Sequence, residues 1–266
     1  MKKEYDYMNK NKDLWNKRTD YHFKSAFYNM DGFLKGDSSL NEIELNLLGD
    51  INGKTILHLQ CHFGQDTLSL QRMGAQPTGI DFSDNAIKKA KELGLRLGLD
   101  TRFICCNIYD LHEHLTETFD IIFTSYGTIG WLNDLHKWGK LISDYLKPGG
   151  SFILVEFHPV IWMFDSEFKK IEYSYFKKDP IIELEANTYA DEKAAINLES
   201  ITWNHSISEV FQALKKYGLQ VDDLQEYDYS PYNCVKNMEE LAPKKYVIKD
   251  FGNKIPMVYS LVATKK

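Results

Sequence analysis

The sequence predicts an α/β fold: a doubly wound, mostly parallel, seven-stranded Rossmann-like sheet whose last strand runs antiparallel, with a β-rich insertion after the fifth strand. Three observations carry this. Short β-branched and leucine-rich runs alternate with helical patterns from Lys54 to Phe157. The run "FDIIFTSY" at 119–126 is apolar almost throughout, as suits a strand covered on both faces. After Phe157 the texture changes to alternating aromatic and charged positions. Strands and helices alternating at this spacing build βαβ units around a parallel sheet.

Residues 1–50 precede the first strand and are expected as an N-terminal helical cap. "KTILHLQ" is the first strand, and "GQDTLSLQRMG" reads as a helix stopped by Gly74. "QPTGIDF" is the second strand. Ser83 or Asp84 caps the next helix, which places Ile87, Ala90, Leu93 and Leu97 on one face. "TRFICCNI" and "FDIIFTSY" follow as third and fourth strands. A helix over 133–146 sets Leu135, Trp138, Leu141, Ile142 and Tyr145 at helical spacing. "KPGG" at 147–150 breaks that helix and feeds "SFILVEF", the fifth strand.

Residues 158–205 are the expected insertion on the substrate side, read as antiparallel strands added to the sheet edge. "SISE" at 206–209 is a capping box opening a helix with Val210, Phe211 and Leu214, closed by Gly218. "GLQVDDLQEY" and "PMVYSLVATKK" supply the last two strands. Without an internal repeat or a low-complexity linker, residues 1–266 are expected as a single domain with an insertion.

The chain of 266 residues is 43% hydrophobic, enough for one large core. Its net charge of −6 and the absence of a basic stripe argue against nucleic acid as a partner. The N-terminus lacks a signal-peptide core and no run reaches membrane-span length, so the expected location is cytoplasmic, with no membrane partner. Cys61, Cys105, Cys106 and Cys234 form no C-x-x-C pair and are expected as free thiols. "HEH" at 112–114 is too incomplete for a metal site, and no metal is expected.

Open parallel sheets bind ligands at the carboxyl ends of their strands, where strand order reverses. That rule selects the loops after Leu59, Ile80, Cys106 and Ser125. The first, "QCHFG", offers the free N–H groups of a helix start but keeps only Gly64. Asp81, seventeen residues after Gly64, stands where a carboxylate accepts both hydroxyls of a ribose. Either feature alone is equally an ordinary strand–turn–helix or a helix cap. Their combination with Asn107 and "KPGG" is more specific.

The stretch "GKTILHLQCHFGQDTLSLQRMGAQPTGIDFSDNAIKKA", with Asn107 and "KPGG", resembles the class I S-adenosylmethionine-dependent methyltransferases of small-molecule type, over roughly residues 53–157. Their first loop reads D-h-G-x-G-x-G; here His58 takes the acidic position, Gln60 and His62 the first two glycines, and Gly64 the third. The resemblance implies S-adenosyl-L-methionine as cofactor. Gln60, Cys61, His62 and Gly64 would approach its methionine part, Asp81 its ribose, and Phe82 its adenine. Asn107 would meet the exocyclic amine, Ile108 the ring, and Ser125 and Tyr126 the methionyl group. Because glycine alone takes positive φ freely, Gln60 and His62 are expected at ordinary φ, with side chains directed away from or around the ligand.

Methyl transfer from a sulfonium is an in-line displacement governed by alignment and exclusion of water. Where a base is needed, His158 in "EFHP" is the candidate, followed by His205 and His22, though a structural histidine is the readier reading of each. The expected partner is a small-molecule methyl acceptor, and the insertion edge is a pairing surface for a homodimer. A sensor or scaffold that binds S-adenosylmethionine without turnover is the alternative in another class. An NAD-dependent oxidoreductase is disfavoured because Gln60 and His62 obstruct a pyrophosphate.

Overall fold

A computed structural model describes residues 6–176 and 178–266. Three helices come first: α1 (Tyr7–Lys24), α2 (Met30–Lys35) and α3 (Glu42–Leu48). The alternating part follows in the predicted order: β1 (Thr55–Leu59), α4 (Gln65–Arg72), β2 (Gln76–Asp81), α5 (Asp84–Leu97), β3 (Arg102–Cys105), β4 (Phe119–Ser125), α6 (Leu135–Tyr145) and β5 (Leu146–Phe157). Then come β6 (Ile181–Glu185), β7 (Leu198–Thr202), α7 (Ile207–Lys216), β8 (Leu219–Tyr227), β9 (Met238–Ala242), β10 (Lys245–Ile248) and β11 (Val258–Lys265).

Seven strands form one sheet in the order β3-β2-β1-β4-β5-β11-β8. β11, the last strand, runs antiparallel between β5 and β8, while β3 through β5 are mutually parallel. Order reverses at β1, between β2 and β4, which puts the ligand crevice at its carboxyl end. The helices bury the predicted faces: Ile87, Ala90 and Leu93 in α5, and Leu135, Trp138, Leu141, Ile142 and Tyr145 in α6. Ser83 caps α5 by accepting from Ala86 N–H, and Ser206 caps α7 by accepting from Glu209 N–H. The four cysteines are free thiols.

Two expectations need correction. The "KPGG" segment lies within β5, where Leu146 already pairs with Phe119 and Lys147 Nζ reaches Asp120 at 2.9 Å. β6 and β7 do not extend the sheet edge; they form a separate two-stranded sheet, and the edges remain β3 and β8. The hairpin is drawn to α1 instead. Leu14 buries against Ala194 and Ile196, Asn11 exchanges two hydrogen bonds with the Ile201 backbone, and Arg18 pairs with Glu185 at 3.0 Å. A second small sheet, β9–β10, lies between the last two main-sheet strands in a stretch that the sequence reading left unassigned.

Candidate active site

The turn from β1 into α4 bends through three left-handed residues: Gln60 at φ 54°, His62 at 52° and Gly64 at 78°. The expectation of ordinary φ for Gln60 and His62 is therefore overturned. The turn keeps the geometry of a glycine loop, and two side chains adopt it at a cost of about 1–2 kcal/mol each. Gly64 has no such freedom to change, because a Cβ there would stand 2.7 Å from the Phe103 ring.

Neighbouring contacts offset the strain. Gln60 Nε2 donates to the Thr128 carbonyl at 2.8 Å, and His62 N–H donates to Asp81 Oδ2 at 2.8 Å. The His62 ring packs among Trp15, His22, Tyr28 and Phe63, with centroids 4.2–5.5 Å away. Burial pulls its pKa down to about 3, helped by Arg18, so the ring is neutral. Cys61 is buried and its N–H joins the Ile80 carbonyl at 2.8 Å; burial pushes its thiol well up. His58, where an acid was expected to open the loop, meets Thr67 Oγ1 at 2.7 Å, and burial lowers it to about 4.

Asp81 ends β2 and is buried. Its oxygens accept the N–H groups of His62 and Ser83, at 2.8 and 2.9 Å. Burial raises its pKa to about 6, against those same hydrogen bonds. The carboxylate has four acceptor positions, which leaves one for a further donor beyond its backbone partners, Phe82 N–H included. At the end of β4, Ser125 Oγ donates to Asp66 at 3.3 Å, and Tyr126, at φ 37°, donates its hydroxyl to Glu44 at 2.9 Å. Glu44 is buried, which raises its pKa to about 7.

These elements surround a cavity of about 930 Å³. Gln60, Cys61, His62, Gly64, Asp81, Phe82, Ser125 and Tyr126 line it; Asn107 and Ile108 do not. Asn107 caps a 3₁₀ turn by accepting from Tyr109 N–H at 3.1 Å, and Ile108 is buried in the main core. His158 is also off the wall. Its Nδ1 accepts from Val160 N–H at 3.1 Å, so Nε2 carries the proton, 2.8 Å from Glu226. With both nitrogens engaged, His158 ties β5 to β8 rather than presenting a base to the cavity. His205 lines the wall, with Nε2 donating to the Leu132 carbonyl at 2.8 Å. His22 meets Thr188 at 2.6 Å, and burial lowers its pKa. His112 and His114 are exposed, and no three-ligand metal cluster occurs among the described residues.

Several wall residues were missed from sequence. Trp15 and Arg18 come from α1, whose covered face runs Asn11, Leu14, Arg18 and His22. That helical spacing was readable, but polar residues at it do not announce a buried face. Buried Glu156 accepts from the N–H groups of Gly127, Thr128, Ile129 and Phe157, fastening the loop after β4. His205 Nδ1 lies 3.1 Å from Glu209 Oε2; four other wall atoms are buried without a partner among the described residues: Gln60 Oε1, His62 Nε2, Arg18 Nε and Asn204 Oδ1. Native interiors rarely leave polar atoms so.

Residues 56–150 match a family model described as a methyltransferase domain. This segment is a methyltransferase domain. It holds nearly all of β1, β2 to β4 and the first part of β5, and with them the cavity-lining candidates from Gln60 to Tyr126. The class I resemblance read from the first loop, Asp81 and "KPGG" falls on the same span. A ubiquinone biosynthesis O-methyltransferase of Xanthomonas oryzae pv. oryzae is 28% identical over 133 residues, covering 49% of this chain and 55% of that protein. The chain thus spans about half the length of such relatives. An uncharacterized methyltransferase of Bacillus subtilis is 26% identical over 181 residues, covering 66% of this chain and 69% of its own. The fold is shared with an S-adenosylmethionine-dependent methyltransferase from Mesorhizobium loti, at TM-score 0.60 and 18% identity, covering 87% of this chain and 100% of that one.

Proposed function

We propose that this chain transfers a methyl group from S-adenosylmethionine to a small-molecule acceptor. The observation that carries the reading is Gln60 Oε1. It is buried at the switch point, lines the cavity and lacks a partner among the described residues, while Nε2 is fixed on the Thr128 carbonyl. An acceptor so placed, beside a free carboxylate lone pair on Asp81, suits a nucleoside with an amino-acid tail.

Asp81 would hold a ribose hydroxyl and Gln60 Oε1 the tail's ammonium. The N–H groups opening α4 and Arg18 Nε are donors for its carboxylate. The bound cofactor supplies an electrophilic methyl on a sulfonium. The chain's own part is alignment and dryness. Glu156 pins the loop after β4 through three backbone N–H groups, and α1 with the β6–β7 hairpin roofs the cavity. Both reduce the cost of bringing nucleophile and methyl into line. Calorimetry with S-adenosylmethionine, S-adenosylhomocysteine and NAD tests the reading. Saturable binding of the first two is expected, and preference for NAD would falsify it.

A further inference from the structure

The β6–β7 hairpin turns one face into the cavity. Side chains alternate across a strand, and the wall takes Ile181, Glu183 and Glu185 from β6 with Ser200 and Thr202 from β7. Ile181 stands opposite Thr202, and Glu183 opposite Ser200. Asn204, two residues beyond Thr202, continues the alternation and lines the same wall. The polar groups in this row are carboxylates, hydroxyls and an amide, without a cation.

Asn204 is only 4% exposed. Its Nδ2 donates to the carbonyls of Pro159 at 3.0 Å and Ser174 at 3.1 Å. Carbonyls only accept, so the amide cannot be flipped and Oδ1 is the free end. That oxygen is buried and has no partner among the described residues. The site therefore wants a donor from the ligand.

Of the three lysine and arginine side chains on the wall, two are paired with carboxylates and the third donates to a neutral amide. Arg18 lies against Trp15 and Trp131 and pairs with Glu185; Lys236 pairs with Glu167; Lys244 donates to Asn41 Oδ1 at 3.0 Å. A carboxylate or phosphate would meet a row of acceptors and carboxylates that holds no cation. A cation would meet acceptors and the rings of Phe157, Trp162, Tyr173 and Trp203, whose faces attract positive charge.

We propose that this half of the cavity receives a small aromatic molecule carrying a protonated amine, with its N–H donated to Asn204 Oδ1 and its charge balanced by Glu183. The role as methyl acceptor rests on the methyltransferase reading; the charge preference does not.

The test pairs tryptamine with indole-3-acetate, ligands with the same ring and opposite charge. Thermal shift of the full chain is measured with and without S-adenosylhomocysteine, and calorimetry with S-adenosylmethionine is run separately. Tryptamine is expected to bind at least tenfold more tightly. Glu183→Lys, at an exposed position, is expected to erase that preference while S-adenosylmethionine binding stays as in the parent chain. Equal binding, the reverse order, no binding of either ligand, or an unchanged preference in Glu183→Lys would overturn the proposal. Preference for tryptamine with no S-adenosylmethionine binding would uphold the charge selection and remove the methyltransferase reading instead.

Discussion

Two buried histidines show how differently the two sides of the sheet are built. His158, where β5 meets β8, has both ring nitrogens bonded and an ordinary strand-end place. His62, at the end of β1, sits at φ 52° with Nε2 unpartnered among the described residues and its ring among cap aromatics. The first is what a folded chain does with a polar ring when only stability is at stake. The second carries backbone strain and an idle polar atom. Such features persist where the surroundings enforce them, and they cluster at ligand sites. Gln60, one turn residue earlier, repeats the pattern.

The largest expected effect on binding is at Asp81. Asp81→Ala should weaken S-adenosylmethionine binding by about 1.5–3 kcal/mol, the range for hydrogen bonds to a charged group. Calorimetry on the folded variant checks it, and unchanged affinity would show that the ribose is anchored elsewhere.

The largest on stability is at Glu44, behind Tyr126. Its carboxyl ionises near pH 7 in the folded chain and near 4.5 when free. The folded state therefore binds the extra proton between those values, and stability falls as pH rises through them. Asp81, raised to about 6 from 3.8, adds a fall of the same sign at lower pH. The Glu44 contribution is on the order of 3 kcal/mol. Below about pH 6.5 the buried, neutral His22, His58 and His62 make stability rise with pH, so the Glu44 part is read as a difference. In thermal melts from pH 4 to 8, Glu44→Gln should gain on the parent chain as pH rises through 4.5 to 7; parallel profiles would remove Glu44 as the cause.

On the other side of the comparison, His158→Leu should cost roughly 1–2 kcal/mol of stability by leaving Val160 N–H without its acceptor. Turnover per folded molecule should be kept. A drop in kcat with unchanged melting would restore His158 as a base.

Much of this was legible in sequence because the sheet obeys local rules. The apolar run of β4, the Ser83 cap and the helical spacing from Leu135 to Tyr145 each name their element without tertiary help. Asp81 was legible too, since a fixed offset from the first loop defines it. The rest depends on contacts between distant segments. α1 carries Arg18 and His22 on its covered face, which a periodicity reading assigns to solvent. β6–β7 reads as an edge hairpin, yet its partner is α1, almost two hundred residues away for the Asn11–Ile201 pair. Asn204 Oδ1 is recognisable only once its amide is known to be spent on two carbonyls. His158 misled because proximity to a strand end says nothing about which way the ring turns.

The smallest effect bears most directly on why the first loop departs from glycine. Gln60→Gly relieves left-handed strain worth roughly 0.5–1 kcal/mol net of glycine's added chain entropy. It also removes the hydrogen bond to the Thr128 carbonyl, which contributes about as much. Stability should therefore stay within about 0.5 kcal/mol of the parent chain, as urea unfolding would read. Binding should not stay level, because Oε1 leaves with the side chain: the expected change is a several-fold loss of S-adenosylmethionine affinity. If the variant binds as tightly and melts higher, the glutamine is a tolerated substitution in a glycine turn. If it melts alike and binds more weakly, the strained side chain serves as the ligand contact that an ordinary glycine loop leaves to its backbone.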